Sequence, residues 1–425
     1  MLIRNFQSLS ATSAKKDVLS IIEAGLQAAL PRNPLEKIIK NDQLAVSGKK
    51  INLKKYDRVF VIAIGKSAYS MTKAVNSFTR VTGGLLVVPN KTKTLARKFR
   101  IIQAGHPIPN KNSVIAAKNI SAFLGNTTTS DFIIFLISGG ASSLVALPDG
   151  ITLREKQAVT DLMLKSGANI HEINCIRKHL SQIKGGRLLD RLRSDAISLV
   201  MSDVVGDDLS SIASGITYYD KTTFFDAKKI LKKYNLERSV PKSVLLHIGL
   251  GVKGKIPETP KKEKIKNYII STNKNCLDAM NMHAKDLGFS TKILSCISGD
   301  VKDLGMKIAK IVSNEKIDCV IFGGEPTVIV KGKGKGGRNQ ELVLHTTLNL
   351  VKQNRHAIVV SVGTDGIDGI TDCAGAIWDA DDEIDKIKSY LGKNDSYNFF
   401  KKYGGLIFTG PTGTNLMDIG LVFRQ

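Results

Sequence analysis

The sequence contains little of what disulfide scaffolds, zinc sites and membrane proteins require. Its five cysteines are odd in number, lie far apart and form no Cys-x-x-Cys pair: Cys175, Cys276, Cys296, Cys319 and Cys373. This spacing argues against a disulfide framework or a zinc site and indicates reduced thiols in a cytoplasmic protein. The longest apolar runs, "VFVIAI" and "FIIFLI", are too short to cross a bilayer, so we expect no membrane-spanning helix.

Aromatic residues are also scarce, at 6% of the chain, although the formal net charge is +24. That charge alone suggests a basic nucleic-acid-binding protein. The cations, however, are spread along the chain and are not interleaved with aromatics, so we expect no nucleic-acid partner. A generally positive field favours small anionic substrates instead. One dense run, "KGKIPETPKKEKIKN" at residues 253–267, contains two prolines and predicts a solvated linker.

The N-terminus has one feature of a transit peptide, because the first sixteen residues contain no acid and several serines. We interpret it instead as a short tail that precedes the amphipathic helix "KKDVLSIIEAGLQAAL". A cytoplasmic location is therefore the expectation. The sequence leaves open whether the chain forms a homodimer.

Four segments share one pattern, in which a short apolar strand is followed by a glycine-rich turn and often a helix. They are "VFVIAIGKSAYSMTKAV" (59–75), "DFIIFLISGGASSLVAL" (131–147), "DCVIFGGEPTVIV" (318–330) and "AIVVSVGTDGIDGITD" (357–372). Continuous apolar strands that alternate with helices are typical of parallel sheets covered on both faces. The fold class is therefore predicted to be doubly wound α/β.

The 425 residues exceed the size at which one hydrophobic core stops growing, so we predict two domains. The loss of apolar periodicity near residues 253–267 places the boundary there. We expect a Rossmann-like α/β/α sandwich over residues 1–250 and a smaller α/β domain over residues 251–425. In such sheets, ligands bind beyond the carboxyl ends of the strands, where the glycine turns lie.

Lys66 follows the first of these strands and begins a helix. The stretch "IGKSAY" does not complete a P-loop, because Phe60 stands where the motif needs its first glycine. A helix N-terminus and an ammonium nevertheless favour an anion together. We therefore predict that Lys66 contacts substrate or phosphate, with a plain surface lysine as the alternative.

The turn "ISGGASS" at residues 137–143 follows the second strand. Gly139 and Gly140 let a ligand approach the backbone, and the amides with the hydroxyls of Ser138, Ser142 and Ser143 would form a cradle for carboxylate or phosphate. The turn lacks the G-x-S-x-G motif of hydrolases. A tight turn that serves only packing is the alternative.

Two loops carry clustered carboxylates after apolar strands: Asp203, Asp207 and Asp208 in the first, Asp365, Asp368 and Asp372 in the second. Mg²⁺ takes one or two carboxylates together with water and phosphates, so either loop could hold it. Aspartate is also a preferred helix N-cap and a common turn residue. The sequence does not decide between a metal or general-base role and these structural roles.

The most glycine-rich segment is "KGKGKGGRNQ" at residues 331–340. Gly332, Gly334 and Gly337 match the dinucleotide pattern G-x-G-x-x-G, and Asp365 lies 28 residues further on. That acid is later than the usual position about 20 residues on, and the loop carries four cations. We therefore predict that the loop holds the phosphates of ATP, with a dinucleotide site as the alternative.

Together these segments resemble the type 2 glycerate kinases, whose C-terminal part is called the MOFRL domain. The resemblance covers nearly the whole chain and rests on eight motifs in order: "IGKSAYSM", "GHPIPN", "LISGGASSL", "IRKHLSQIKGGRL", "MSDVVGDDLSSIASG", "FGGEPTVIVKGKGKGGRNQEL", "GTDGIDGITDCAGA" and "TGPTGTNLMDI". One departure is Asn110 in "HPIPN", where the family usually has an acid. It affects only a local turn or hydrogen bond.

The resemblance implies a two-domain kinase that phosphorylates D-glycerate from ATP with Mg²⁺ in an interdomain cleft, commonly at the 2-hydroxyl. Its implied catalytic residues are Lys66, Asp203, Arg338 and Asp365, and Asn415 joins the "SGGASS" turn in binding substrate. From the glycine-rich loop itself, we predict that the nucleotide-binding residues are Glu325, Gly332, Gly334, Lys335, Gly336 and Gly337. Asp203, Asp208 and Asp365 are the candidate Mg²⁺ ligands. Some relatives carry hydroxypyruvate reductase names, so an NAD(P)H-dependent reductase is the alternative.

Overall fold

The computed structural model describes residues 1–90, 92, 95–380 and 384–425. The chain folds as two compact units. Residues Met1–Asn33 and Ser271–Gln425 form the first, here called the terminal unit, and Pro34–Ile270 form the second, the central unit. Within the described residues, no helix combines the length and the apolar content that crossing a membrane requires.

The chain begins with two helices of the terminal unit, α1 (Phe6–Leu9) and α2 (Ser13–Ala28). The elements that follow, as far as the end of the central unit, are α3 (Arg32–Ile38), β1 (Ile39–Lys40), β2 (Gln43–Val46), β3 (Lys49–Asn52), β4 (Arg58–Ile64), α4 (Ala68–Phe78), β5 (Gly83–Val88), β6 (Phe99–Gln103), α5 (Lys111–Gly125), β7 (Asp131–Ile137), α6 (Ala141–Leu144), α7 (Leu153–Lys165), α8 (Ile170–His179), β8 (Asp195–Met201), α9 (Phe224–Lys233), α10 (Lys242–Val252) and β9 (Lys266–Ser271). The terminal unit then resumes with α11 (Asn273–Asp286), β10 (Thr291–Asp300), α12 (Val301–Asn314), β11 (Cys319–Thr327), α13 (Arg338–Val351), β12 (Ala357–Gly363), β13 (Gly375–Asp379), α14 (Ile384–Leu391), α15 (Ser396–Tyr403), β14 (Leu406–Ile407) and β15 (Asp418–Arg424).

The central unit is built on a six-stranded sheet in the order β6-β5-β4-β7-β8-β9. β4 pairs in parallel with β5 and β7, and β5 and β7 pair in parallel with β6 and β8. Every residue of β7 is buried, as a strand covered by helices on both faces should be. The prediction of a doubly wound α/β fold is confirmed here, and the carboxyl ends of β4, β7 and β8 lie at one edge.

The sheet of the terminal unit is mixed, in the order β10-β11-β15-β12-β13-β14. β15 runs antiparallel to both of its neighbours, β11 and β12. The register opposes Asp418, the first residue of β15, to Gly324 of β11 and to Gly363 of β12. The carboxyl ends of β11 and β12 therefore lie on either side of the start of β15.

The two units do not divide where the sequence analysis expects, between residues 250 and 251. The first 33 residues belong to the terminal unit, because α2 buries an apolar face made by Val18, Leu19, Ile22 and Leu26. Gly25 on this face is in close contact with α11 and β15: a Cβ there would lie 2.7 Å from Met280 Cγ and 2.8 Å from Ile419 Cδ1. An apolar helix face needs a partner, and here the partner comes from the other end of the chain.

Residues 253–267 are not the solvated linker that their charge predicts. Their backbone is fastened to the central unit, since Pro257 O accepts a hydrogen bond from Arg187 at 2.6 Å and Pro260 O accepts one from the amide of Asp220 at 2.9 Å. Thr259 between them is 1% exposed. The lysines face solvent while the chain beneath them is packed, so charge density alone misidentifies the segment.

The docking of α2 can be tested with Trp378, the one tryptophan of the chain, which lies in β13 and reports on the terminal unit. We predict that Ile22→Ala lowers the unfolding free energy seen by its fluorescence by about 2–5 kcal/mol, because a buried side chain leaves a cavity. Lys16→Ala, on the exposed side of the same helix, should change it by no more than about 0.5 kcal/mol. Equal urea midpoints for wild type and Ile22→Ala would show that α2 is not part of this unit.

Candidate active site

In the central unit, the turns after β4 and β7 are joined by backbone hydrogen bonds. The amide of Lys66 donates to Gly139 O at 2.9 Å, and the amide of Ser67 donates to Ser138 Oγ at 3.0 Å. Gly65 permits this approach: its φ is 133°, and a Cβ there would lie 2.1 Å from Ser138 Oγ. Lys66, Ser138 and Gly139, all predicted as ligands, are thus brought together.

Gly140 places two further groups beside this turn. Its φ of 82° lies in the left-handed region. A Cβ at Gly140 would meet the His106 ring at 2.8 Å and Lys66 Cγ at 3.6 Å. The "GHPIP" loop and the "SGGASS" turn therefore contact each other around the stem of Lys66.

The hydroxyl of Ser142 contacts two side chains of the central unit, Ser214 and Lys184. It lies 2.8 Å from Ser214 Oγ and accepts a hydrogen bond from Lys184 Nζ at 3.0 Å. Lys184 also donates to Ser142 O at 2.9 Å and to Ala213 O at 3.3 Å, and it is fully buried. Burial lowers the pKa of its ammonium well below the usual value. Sequence reasoning missed Lys184, although it lies in one of the motifs, "IRKHLSQIKGGRL".

Asp203 and Asp208 are two half-buried carboxylates in the loop after β8. Asp208 accepts hydrogen bonds from the amide of Ser210 at 3.0 Å and from the hydroxyls of Ser210 and Ser211, both at 2.7 Å. Burial raises the pKa of the Asp208 carboxyl, but these hydrogen bonds outweigh it and the pKa is lowered. These are the contacts of a turn residue, one of the structural roles that the sequence left open. Asp203, two residues beyond β8, is half-buried.

In the terminal unit, an ion pair joins α13 to the start of β15. Arg338 donates to Asp418 through Nε at 2.5 Å and through NH2 at 3.0 Å, a bidentate contact. Glu325, near the end of β11, lies 3.8 Å from Arg338 NH1. The Asp418 side chain is 4% exposed, whereas that of Arg338 is 36% exposed. The contact with Asp418 therefore fixes the guanidinium of Arg338, while part of this side chain stays exposed to solvent.

The pKa values of this pair reflect burial and charge. Burial opposes the charged form of Arg338, but the negative charge of Asp418 outweighs it and raises the pKa of the guanidinium. Burial raises the pKa of the Asp418 carboxyl to about 6, against the opposing effect of Arg338. Both groups are charged at neutral pH. The sequence analysis missed Asp418, although "NLMDI" places it three residues after Asn415.

Asp365 follows the end of β12, in a loop that is tied to the loop before β15. The amide of Thr412 donates to Asp365 O at 3.2 Å, and the amide of Leu416 donates to Thr364 Oγ1 at 2.8 Å. A Cβ at Gly363 would lie 3.1 Å from Asp365 Oδ1 and 3.4 Å from Asp418 Oδ1. Two carboxylates thus approach one backbone position, and Asn415, which is 9% exposed, lies in the second loop.

The glycines of the 332–337 loop serve a different purpose from the one predicted. The amides of Gly332, Gly334 and Lys335 donate to Asn394 Oδ1 at 2.8 Å, to Lys393 O at 2.8 Å and to Asp395 Oδ1 at 2.9 Å. Cβ atoms at Gly332, Gly334 and Gly336 would come within 2.4 Å of residues 393–396. The glycines allow this close approach, and those three amides are not free to bind phosphate.

The N-terminus of α13, just after this loop, is capped by Asp368. Its two carboxylate oxygens accept the amides of Asn339 and Gln340, both at 3.0 Å, and the side chain is 1% exposed. A Cβ at Gly337 would lie 2.2 Å from Asp368 Cγ. A dinucleotide pyrophosphate needs these amides, so the G-x-G-x-x-G interpretation is wrong here. The structural basis for a reductase is lost with it.

A metal site is not preformed in the described ranges: residues 1–90, 92, 95–380 and 384–425 hold no cluster of three or more His, Cys, Asp or Glu side chains arranged around one point. The predicted ligands Asp203 and Asp365 lie in different units. Mg²⁺ usually takes one or two carboxylates and completes its shell with water and substrate phosphates. The carboxylates of either unit alone fit that pattern better than a closed protein cage.

A parallel sheet with two contacting glycine-rich turns and a mixed sheet with a fixed arginine at the start of α13 are the architecture of a two-unit α/β enzyme. Family models agree: one described as a domain of unknown function, DUF4147, matches residues 17–249, and the MOFRL family matches residues 318–418.

Relatives extend over nearly the whole chain. A glycerate 2-kinase of Pyrococcus horikoshii is 40% identical and aligns with 94% of this chain and 95% of its own. A D-glycerate 2-kinase of Thermotoga maritima is 37% identical, over 96% and 99%. The crystal structure of the Thermotoga maritima glycerate kinase superposes with a TM-score of 0.82 at 35% identity, over 96% of this chain and 99% of that one. The chain belongs to the glycerate 2-kinase family, which confirms the resemblance and the enzyme class that the eight motifs indicate.

The capping role of Asp368 on α13 is tested by comparing the stability of Asp368→Ala with that of Asp365→Ala. Asp368→Ala should lower the unfolding free energy reported by Trp378 by roughly 2–4 kcal/mol, because two buried amides lose their acceptor. Asp365→Ala removes a half-buried carboxylate that accepts the exposed amide of Ile367, and should cost about 1 kcal/mol or less. The two variants serve as controls for each other. Similar losses in both would contradict the distinction between a buried capping aspartate and a half-buried one.

Proposed function

We propose that the protein transfers the terminal phosphoryl group of ATP to the 2-hydroxyl of D-glycerate and that the reaction uses Mg²⁺. The names of the Pyrococcus and Thermotoga relatives support glycerate and the 2-position. The observation that carries the chemistry is the bidentate contact between Arg338 and Asp418. It holds a guanidinium at the sheet edge that also carries Asp365.

Phosphoryl transfer depends on positioning and on stabilisation of negative charge rather than on covalent chemistry. We assign Arg338 to the oxygens of the transferring group, because Asp418 accepts two of its five N–H groups and leaves the others for an oxyanion. Glu325 would help to orient the same guanidinium. Lys66, beside the "SGGASS" turn, is assigned to a second anionic oxygen of substrate or phosphate.

Mg²⁺, when bound, would neutralise charge on the nucleotide phosphates. Asp365 is the better-supported ligand, because its carboxylate and that of Asp418 approach the same backbone position at Gly363. Asp203 is the alternative carboxylate, and Asp203 or Asp365 would accept the proton of the glycerate hydroxyl. Asp208 is less suited, since three hydrogen bonds already occupy its oxygens.

The hydrogen bonds of the 332–337 loop change the assignment of the groups that would bind nucleotide. Its glycine amides at 332 and 334 face the chain at 393–395, so the loop would act through its ammonium groups. Lys335 Nζ is held 4.1 Å from the centre of the Tyr397 ring, whereas Lys331 and Lys333 are exposed. Gly336 and Gly337 remain candidates only for close contact with nucleotide.

Glycerate is assigned to the turn at residues 138–140 of the central unit, and Asn415 of the terminal unit stays a candidate substrate ligand. Ser138 and Gly140 provide the backbone that an oxyanion cradle requires. Ser142 takes a supporting role, because its hydroxyl is bonded to Lys184 and lies 2.8 Å from Ser214 Oγ.

The proposed reaction is tested by incubating the protein with D-glycerate, ATP and Mg²⁺ and separating 2- from 3-phosphoglycerate. We expect 2-phosphoglycerate, and a chelator of divalent cations should abolish its formation because the phosphate charge is no longer neutralised. NADH with hydroxypyruvate is the matched control for a reductase and should give no oxidation. Formation of 3-phosphoglycerate without 2-phosphoglycerate would refute transfer to the 2-hydroxyl. NADH oxidation without phosphoryl transfer would refute the kinase activity.

The role of Arg338 is tested by Arg338→Ala, which should lower kcat by about 10³ or more through loss of charge stabilisation on the transferring group. Arg338→Lys keeps the charge but loses the bidentate contact, so it should recover only part of the rate. Arg355→Ala, an exposed arginine just past α13, is the control. An unchanged kcat in Arg338→Ala would remove this residue from the chemistry.

A further inference from the structure

The central unit contains a cavity of about 680 Å³ next to the "SGGASS" turn. Gly140, Ser142 and Ser143 form one wall, and the loop at residues 107–109 forms another. The remaining walls come from side chains of α7 and α8 and from Lys184. Gly140 also adjoins Lys66, so the cavity opens close to the lysine that is assigned to an anionic oxygen.

The cavity wall is strongly cationic. Lys156, Arg177 and Lys184 line it, and Lys156 and Lys184 are 5% and 0% exposed. Asp161 is the one acid among the described lining residues, and its largely exposed carboxylate pairs with Lys165 at 2.7 Å. Three basic side chains therefore face this space, and none of the described residues that line it supplies them with a buried carboxylate. Burial without a counter-ion disfavours the charged form of a basic group, and an anion in the cavity would favour it again.

The cations differ in how far the protein itself satisfies them. Lys184 donates to three oxygens, Ser142 O, Ser142 Oγ and Ala213 O. Lys156 donates only to the carbonyls of Leu180 at 3.3 Å and Arg177 at 3.5 Å, and burial lowers its pKa to about 7. The Arg177 guanidinium has no hydrogen-bond or ion-pair partner in the part of the chain that the structure describes, and burial lowers its pKa.

The next residue on α8, Lys178, is a buried cation with a carboxylate partner. Lys178 Nζ lies 3.2 Å from Asp220 Oδ1, and both side chains are buried. Asp220 is fixed in turn by Thr222 and Thr259. The protein thus supplies Lys178 with a dedicated carboxylate but gives none to Arg177 beside it.

We propose that Arg177, with Lys156, forms an oxyanion subsite that takes the carboxylate of the acceptor substrate. This assignment rests on the proposed function, since it makes D-glycerate the ligand. A planar guanidinium matches a carboxylate through two parallel hydrogen bonds. The apolar side chains of Ile108 and Leu164 on the same cavity suit a small organic anion. A phosphate group offers the same oxyanion chemistry, so the test separates the two.

The test compares Arg177→Gln and Arg177→Lys with Arg154→Gln, an exposed arginine of α7 that does not line the cavity. Loss of a charge-assisted contact should raise KM for D-glycerate about tenfold or more in Arg177→Gln, with KM for ATP unchanged. Arg177→Lys should lie between this variant and wild type, and Arg154→Gln should match wild type. A rise only in the KM for ATP in Arg177→Gln would show that the subsite binds a nucleotide phosphate. It would overturn the proposal that the subsite binds the carboxylate of D-glycerate.

Absence of glycerate phosphorylation would by itself refute the proposed function. A second measurement tests the subsite even in that case. Thermal unfolding is followed with added D-glycerate and, separately, with inorganic phosphate. Stabilisation of the wild type and of Arg154→Gln that is lost in Arg177→Gln would support the subsite, because a ligand of the folded state raises the midpoint. Equal shifts in all variants, or unchanged KM values in Arg177→Gln, would overturn it.

Discussion

The ion pair between Arg338 and Asp418 is the interaction on which the rest of the proposed site depends. β15 runs antiparallel between β11 and β12, so its first residue, Asp418, lies opposite Gly324 of β11 and opposite Gly363, the last residue of β12. There it receives the arginine at the start of α13 in a bidentate contact. One buried carboxylate therefore sets the position of the guanidinium relative to the loops that carry Asp365 and Asn415. Such fixed geometry is what phosphoryl transfer requires of a protein.

A second constraint comes from the N-terminus of α13. Four amides at any helix start need acceptors, and two of them here are satisfied by the buried Asp368. The glycines before the helix then let the chain run against residues 393–396. The backbone of the 332–337 loop therefore packs against the protein itself, while the side chains of Lys331 and Lys333 are exposed. The same glycine spacing builds a phosphate cradle in dinucleotide-binding proteins, so the spacing alone does not identify the function.

The sequence predicts the α/β class and the strand-turn segments because apolar strands and glycine turns are local signals. It also identifies the family, since eight ordered motifs carry that information. It does not predict that α2 joins the terminal unit, because that packing involves Met280 and Ile419, far along the chain. Asp418 and Lys184 escape notice for the same reason. Their significance lies in distant partners, Arg338 in one case and Ser142 and Ala213 in the other.

The organising role of the Arg338–Asp418 pair is tested by the single-turnover rate of phosphoryl transfer in Asp418→Asn, with folding checked by Trp378 fluorescence. The amide keeps the shape of the side chain but removes the charge that holds Arg338. We expect a folded protein in which the transfer rate falls roughly 100-fold, the cost of misplacing a catalytic group by about 1 Å. A folded variant that transfers phosphate at the wild-type rate would contradict the claim that this pair organises the site.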